Sequence, residues 1–180
     1  GVISGLNEKV HPQCFLRQTD LTSPDKKITN LVKIKSKLDS VDFCHQLNEI
    51  VGNSISYESG STSIDTKATD AISIGKGVCQ DFAHILIGLA RYYGYPARYI
   101  NGFSAHESNG VNETHAWVEI YITDLGWVAF DPSKKTCIDE KYIRVGCGFD
   151  FTDASMIKGV KCNFNGEETL DKDLKIRLQQ

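Results

Sequence analysis

The chain has 180 residues, 41% of them hydrophobic and 24% charged, which suits one soluble globular domain over 1–180 with a real core. Lysine and arginine number 20 against 23 acidic residues, a formal charge of -3, and the densest basic run, residues 26–37, is spread among apolar residues like a solvated helix face. A nucleic-acid partner is therefore not expected, and because the longest apolar stretch, residues 85–90, falls far short of the roughly 18 residues that cross a bilayer, neither is a membrane.

Residues 10–24 are interrupted by Pro12 and Pro24 and read as an extended lead-in. From Ile28 to Ile50, apolar residues including Leu31, Val32, Ile34, Leu38, Val41 and Leu47 recur at helical spacing. This predicts two helices separated near Asp39-Ser40, with one of those two residues capping the second. Residues 52–69, rich in Ser, Thr and Gly, read as loop with a short strand around Ile55-Ser56-Tyr57. Gly75-Lys76-Gly77-Val78-Cys79 is a predicted turn, followed by a helix over 80–93 with Phe82, Leu86, Leu89 and Tyr93 in one stripe beside Ala83 and Ala90. Gly94 and Pro96 end it. Strands follow at 97–103, 115–122, 127–130 and 142–145, with a polar loop at 104–114, and Leu174, Ile176 and Leu178 alternate as in a final strand. One central helix followed by a run of strands is the α+β pattern.

The opening Gly1-Val2-Ile3-Ser4-Gly5 has no charged region followed by an apolar one, so no signal peptide is expected in it, although a start at Gly leaves room for one removed upstream. Six scattered cysteines in a chain of this length point to reduced thiols and a cytoplasmic setting rather than a disulfide framework. No CxxC, HExxH or His/Cys cluster is present, so neither a metal nor a cofactor is expected.

Cys79 follows two glycines and opens a helix, where unpaired N–H groups and the positive dipole end favour a thiolate. Its backbone N–H is placed to serve as an oxyanion donor, and the glycines would keep side chains away from an incoming carbonyl. His115 starts a strand directly after a polar loop and Asp131 ends the next strand, supplying a base and an anion to orient it. Geometry adds a condition. His115, Trp117 and Glu119 share a strand face, and Asp131 joins it only by opposing an odd-numbered residue such as Trp117. That requires an odd hairpin loop such as Thr123-Asp124-Leu125, or a bulge; a two-residue turn at Asp124-Leu125 would separate the two side chains.

Gly77-Val78-Cys79-Gln80-Asp81-Phe82-Ala83-His84, Tyr95-Pro96-Ala97-Arg98-Tyr99-Ile100-Asn101-Gly102-Phe103, His115-Ala116-Trp117-Val118-Glu119 and Gly126-Trp127-Val128-Ala129-Phe130-Asp131-Pro132 resemble the core of the bacterial transglutaminase-like superfamily. Many of its members are described as candidate cysteine proteases. Residues 148–153 and 157–159 resemble that family's tail, and the likeness runs more weakly back through Thr62 and Tyr57 to Phe15-Leu16. The resemblance implies a papain-like α+β fold, with the Cys-bearing helix packed on an antiparallel sheet. It also implies the roles of nucleophile, base and orienter for Cys79, His115 and Asp131. Papain proper differs, since its nucleophile lies near the mature N-terminus and its His far downstream. The N-terminal β-rich domain of larger relatives has no counterpart in the chain, nor do the β-domains and calcium sites of mammalian-type transglutaminases.

Each residue also has a plainer reading. Cys79 alone could be a small core residue, His115 a satisfied structural histidine, and Asp131 before Pro132 a turn former. His84 and His106 compete as bases, the first expected to pack or face solvent, the second to sit on a surface or cleft rim. Tyr57 is a candidate second oxyanion donor or cleft residue, Trp117 a candidate cleft wall, and Asp81 a complement to the helix N-terminus. The other five cysteines read as structural. The expected chemistry is attack by the thiolate on a carboxamide or peptide carbonyl of a protein or peptide substrate, through a thioester. Water resolving it makes a hydrolase, favoured because no amine tunnel can be read from sequence; a second amine makes a transglutaminase. A non-catalytic peptide-binding module that keeps the fold is the third reading.

Overall fold

The computed structural model describes residues 1–3, 8–33, 40–104 and 114–155. The predicted lead-in contains a short 3-10 helix, η1 (Pro12–Leu16), because Pro12 has the backbone angle a first helical turn needs and His11 accepts from the Gln13 N–H. Of the expected helix pair, the first is a single turn, α1 (Lys26–Thr29), capped by Asp25, whose side chain accepts from the Ile28 N–H at 3.0 Å. The second is α2 (Ser40–Gly52), burying Cys44, Leu47 and Val51. Ile34, Leu38, the capping position Asp39, and the predicted strand at 174–178 lie outside the described residues.

Between α2 and Cys79 the expected short strand around Tyr57 is present, joined by a helix and a second strand that the sequence did not signal. Strand β1 (Ser56–Tyr57) pairs in parallel with β2 (Lys76–Gly77), and α3 (Ala68–Ile74) crosses between them. Gly75, at φ 76°, ends α3 in the left-handed conformation, which glycine adopts without steric cost. Helix α4 (Cys79–Tyr92) follows. It stops through a Schellman closure: the Tyr95 N–H reaches the Ala90 carbonyl at 2.9 Å and the Gly94 N–H the Arg91 carbonyl at 3.0 Å, with Gly94 at φ 83°.

A five-stranded antiparallel sheet completes the fold, with strands β3 (Ala97–Ser104), β4 (Thr114–Ile122), β5 (Gly126–Asp131), β6 (Thr136–Cys137) and β7 (Tyr142–Gly148) in the order β6-β5-β4-β3-β7. A short helix, α5 (Phe151–Ala154), packs behind β7. One sheet face, with Tyr99, Ala116, Val118, Ile120 and Phe130, joins α4 and α2 in the main core. The other carries Ile100, Trp117 and Ala129 in a smaller cluster, together with Arg98 and Glu119. Helix α4 is buried from Gln80 to Arg91 on every side rather than along one stripe, because α2, α3 and η1 cover the face turned away from the sheet. Tyr93, expected in that stripe, is 37% exposed at the helix stop. Gly88 is where the lead-in crosses the helix, since a Cβ there would lie 2.1 Å from the Thr22 carbonyl oxygen. Arg91 ties this layer to the sheet: its buried guanidinium donates to the carbonyls of Phe15, Ala97 and Phe149 and to the Thr22 hydroxyl.

Candidate active site

The hairpin between β4 and β5 takes the three-residue loop Thr123-Asp124-Leu125, with Ile122 opposite Gly126. Asp124 and Gly126 both have positive φ, 70° and 84°, which lets so short a loop reverse the chain. The register Val118 opposite Phe130 carries on to Trp117 opposite Asp131, so His115 and Asp131 share a face and sit diagonally. His115 Nε2 lies 2.6 Å from Asp131 Oδ2.

The Asp131 carboxylate is fully buried and richly served. Oδ1 accepts from the Ser133 hydroxyl at 2.7 Å and from the backbone N–H groups of Ser133 and Lys134 at 3.1 and 3.2 Å. Oδ2 accepts from the Tyr142 hydroxyl at 2.8 Å beside the His115 contact. Burial alone would raise its pKa, but the hydrogen bonds and charge of His115, with Ser133 and Tyr142, hold it below the ordinary value. Sequence reading missed Ser133 and Tyr142. The Asp-Pro-Ser-Lys turn was a signal for the first, since Asp side chains accept from residues two and three further on; no local pattern aims Tyr142 across two strands at Asp131.

Cys79 begins α4 and is half-buried, and its thiol lies near enough to the His115 ring to act on that ring's pKa. With Nε2 facing Asp131, Nδ1 is the ring nitrogen left for the sulfur. Burial would lower the His115 pKa; its contacts with Asp131 and Cys79 outweigh that and raise it to about 9. The three side chains therefore meet.

The turn before Cys79 is braced by Asp81, which accepts from the Val78 N–H at 2.8 Å and the Thr62 hydroxyl at 2.6 Å. Burial nevertheless raises its pKa above the ordinary value. A Cβ at Gly77 would lie 2.8 Å from this carboxylate, so the space left by that glycine is filled by Asp81 rather than kept open for a substrate. Gln80 holds the same loop through the Ile64 carbonyl at 3.1 Å. Tyr57 pairs with Gly77, two residues before Cys79; it is 55% exposed, with its ring stacked 6.4 Å from Phe82.

Trp117 is not a cleft wall. Fully buried, it lies in the smaller cluster with its ring 6.3 Å from His115 and 5.4 Å from Tyr142, because its strand face is covered there. His84 is also fully buried: burial lowers its pKa to about 4, and its Nε2 accepts from the Phe151 N–H, so it is a neutral packing residue. His106 and Cys162 lie outside the described residues. Of the other cysteines Cys44 is core and Cys137 half-buried, whereas Cys14 and Cys147 are exposed and pack no core. Among the described residues no cluster of three or more His, Cys, Asp or Glu side chains could hold a metal, and no helix is long and apolar enough to cross a membrane.

Residues 29–132 match the model of the transglutaminase-like superfamily, and the chain belongs to that family. It is 32% identical over 130 residues to an uncharacterized protein of Mycobacterium leprae, covering 69% of this chain and 45% of that one. It is 30% identical over 131 residues to uncharacterized proteins of Mycobacterium tuberculosis, covering 67% and 42%. The chain thus spans less than half the length of these curated relatives. The crystal structure of "a Putative Cysteine Protease from Cytophaga hutchinsonii" superposes with a TM-score of 0.69 at 30% identity, covering 79% of this chain and 48% of that one.

Proposed function

We propose that the chain is the catalytic core of a thiol-dependent amide or peptide hydrolase, with Cys79 as nucleophile, His115 as acid and base and Asp131 as orienter. The observation that carries this reading is the 2.6 Å His115–Asp131 hydrogen bond on a ring whose pKa the neighbouring Cys79 thiol also helps to raise. A histidine with a pKa near 9 is charged at neutral pH, the partner a nucleophilic sulfur requires. The sulfur adds to the carbonyl carbon, and the Cys79 N–H, one of the first-turn donors without an intrahelical acceptor, receives the oxyanion. His115 protonates the leaving amine as the C–N bond breaks, leaving a thioester. Neutral His115 then takes a proton from water, whose oxygen displaces the sulfur and releases a carboxylic acid. Exposed Tyr57, beside the nucleophile's turn, is a candidate rim residue or second oxyanion donor.

The reading is tested by incubating the chain with a protein or peptide library and a labelled primary amine, and scoring new termini against amine incorporation. New termini in wild type and none with Cys79→Ala are expected, with the rate falling as pH rises through about 9. Amine incorporation in place of new termini would replace hydrolysis with acyl transfer, and neither product would leave a peptide-binding module.

A further inference from the structure

Tyr142 stands at the start of β7, two strands from His115, with β3 between them. Its side chain crosses that strand where Gly102 offers none. A Cβ at Gly102 would lie 2.6 Å from the Trp117 ring and 2.1 Å from the Ile143 carbonyl oxygen, so the aromatic seat exists only because that residue is glycine. The Tyr142 ring lies 5.8 Å from His115 and edge-on to Trp117 at 5.4 Å, while its hydroxyl ends 2.8 Å from the carboxylate oxygen that also meets His115. Thr136, opposite Asp131 across β5 and β6, lies beside that hydroxyl.

Resting on the reading of Cys79, His115 and Asp131 as the reacting set, we propose that Tyr142 is a positioning residue. By sharing Asp131 Oδ2 with His115, it fixes the carboxylate and withholds part of its basicity from the imidazole. The contact is built for donation. Burial and the adjacent Asp131 charge push the phenol's pKa well up, so it stays protonated wherever the triad works. A carboxylate oxygen that already accepts one strong hydrogen bond has less negative charge to offer a second donor, so this hydroxyl competes with His115 for the same lone pairs. Removing it leaves Asp131 the three donors on Oδ1, enough to keep it ionised but not to share Oδ2. Among the described residues, the other titratable groups facing the pair are Cys79 from α4, Asp139, whose charge also acts on the phenol, and Lys134, whose ammonium lies 5.5 Å over the Tyr142 ring and donates to the Ser104 hydroxyl.

The test is an NMR titration of the His115 ring in the full chain, wild type against Tyr142→Phe, beside the rate at which a chloroacetamide labels Cys79. Tyr142→Phe keeps the ring packing and is expected to move the His115 midpoint upward by about 0.5 pH unit. Cys79 labelling at pH 7 should not fall, because a more basic imidazole holds the thiolate at least as well. Thr136→Val, beside the Tyr142 hydroxyl on the strand position opposite Asp131, should shift the midpoint the same way by less, and stands in if Tyr142→Phe fails to fold. An unmoved midpoint in the folded variants overturns the proposal. A midpoint that moves while wild-type Cys79 labels no faster than exposed Cys14 keeps Tyr142 in its role and sinks instead the reading of Cys79 as nucleophile.

Discussion

Two buried ionic pairs lie on the same face of the same sheet, and they end differently. Arg98 and Glu119 are 1% and 0% exposed and directly opposed across β3 and β4. That pair is enclosed by protein groups, though Arg98 Nη2 makes no hydrogen bond among the described residues. Arg98 Nε meets Glu119 at 2.6 Å, Glu8 takes the guanidinium at 2.7 and 2.6 Å, Arg144 reaches the other Glu119 oxygen at 3.1 Å, and Trp127 stacks 3.8 Å from the guanidinium carbon. Four residues before Glu119 on β4, His115 is paired with a carboxylate just as buried, yet one ring nitrogen remains for the Cys79 sulfur. Burial and charge pairing are thus common to both. What sets the second pair apart is an open valence and a proton that can leave, which a guanidinium does not offer.

That contrast can be broken by substitution. The largest expected effect is on rate: Cys79→Ala abolishes amide cleavage, and Asp131→Asn lowers kcat by up to about 10⁴-fold by favouring the wrong imidazole tautomer. Glu119→Gln should spare the chemistry of the folded fraction but cost about 1–3 kcal/mol in urea unfolding, because Arg98 and Arg144 lose a charged acceptor while Glu8 still pairs Arg98. Next comes pH. His115 has a folded pKa of about 9 against an ordinary 6.5, so its pairing stabilises the fold fully below 6.5 and is lost as pH climbs through 9. The stability gap between wild type and His115→Gln should therefore shrink over that window by up to about 3 kcal/mol. Asp131, its pKa held down, contributes above the ordinary 3.8 and loses its share as pH falls through its lower folded value. Gly102→Ala should cost about 1–3 kcal/mol by forcing Trp117 and the Ile143 carbonyl apart, seen as a lower urea midpoint. Smallest is Tyr57→Phe, expected to change kcat/KM by less than about tenfold, as for one exposed hydrogen bond.

How much of this was legible varied with the kind of signal. Strand alternation and the count of residues between Ile122 and Gly126 were enough to pose the register question, and the odd loop answers it as the shared face of His115 and Asp131 requires. The turn at Gly75 and the Gly94 stop were readable because glycine marks backbone that other residues rarely adopt, although Lys76-Gly77, expected within that turn, is strand β2. The short strand expected around Tyr57 is β1, but helix α3 and the two-residue strand β2 were not legible. Each is too short for periodicity to register, and they are held by contacts with α4 rather than by their own propensity. Trp117 and Tyr142 defeated sequence reading for one reason: whether an aromatic lines a cleft or seals a carboxylate depends on what the neighbouring strand presents, and Gly102 presents nothing.

The most direct measurement is competitive alkylation of the native chain at neutral pH with a limiting thiol reagent, the cysteines read separately by mass spectrometry. Cys79, only half-buried, should react ahead of the exposed Cys14 and Cys147, and His115→Ala should remove that lead. Labelling that simply follows exposure, with Cys14 and Cys147 first and His115→Ala without effect, would contradict the assignment of Cys79 as an activated nucleophile.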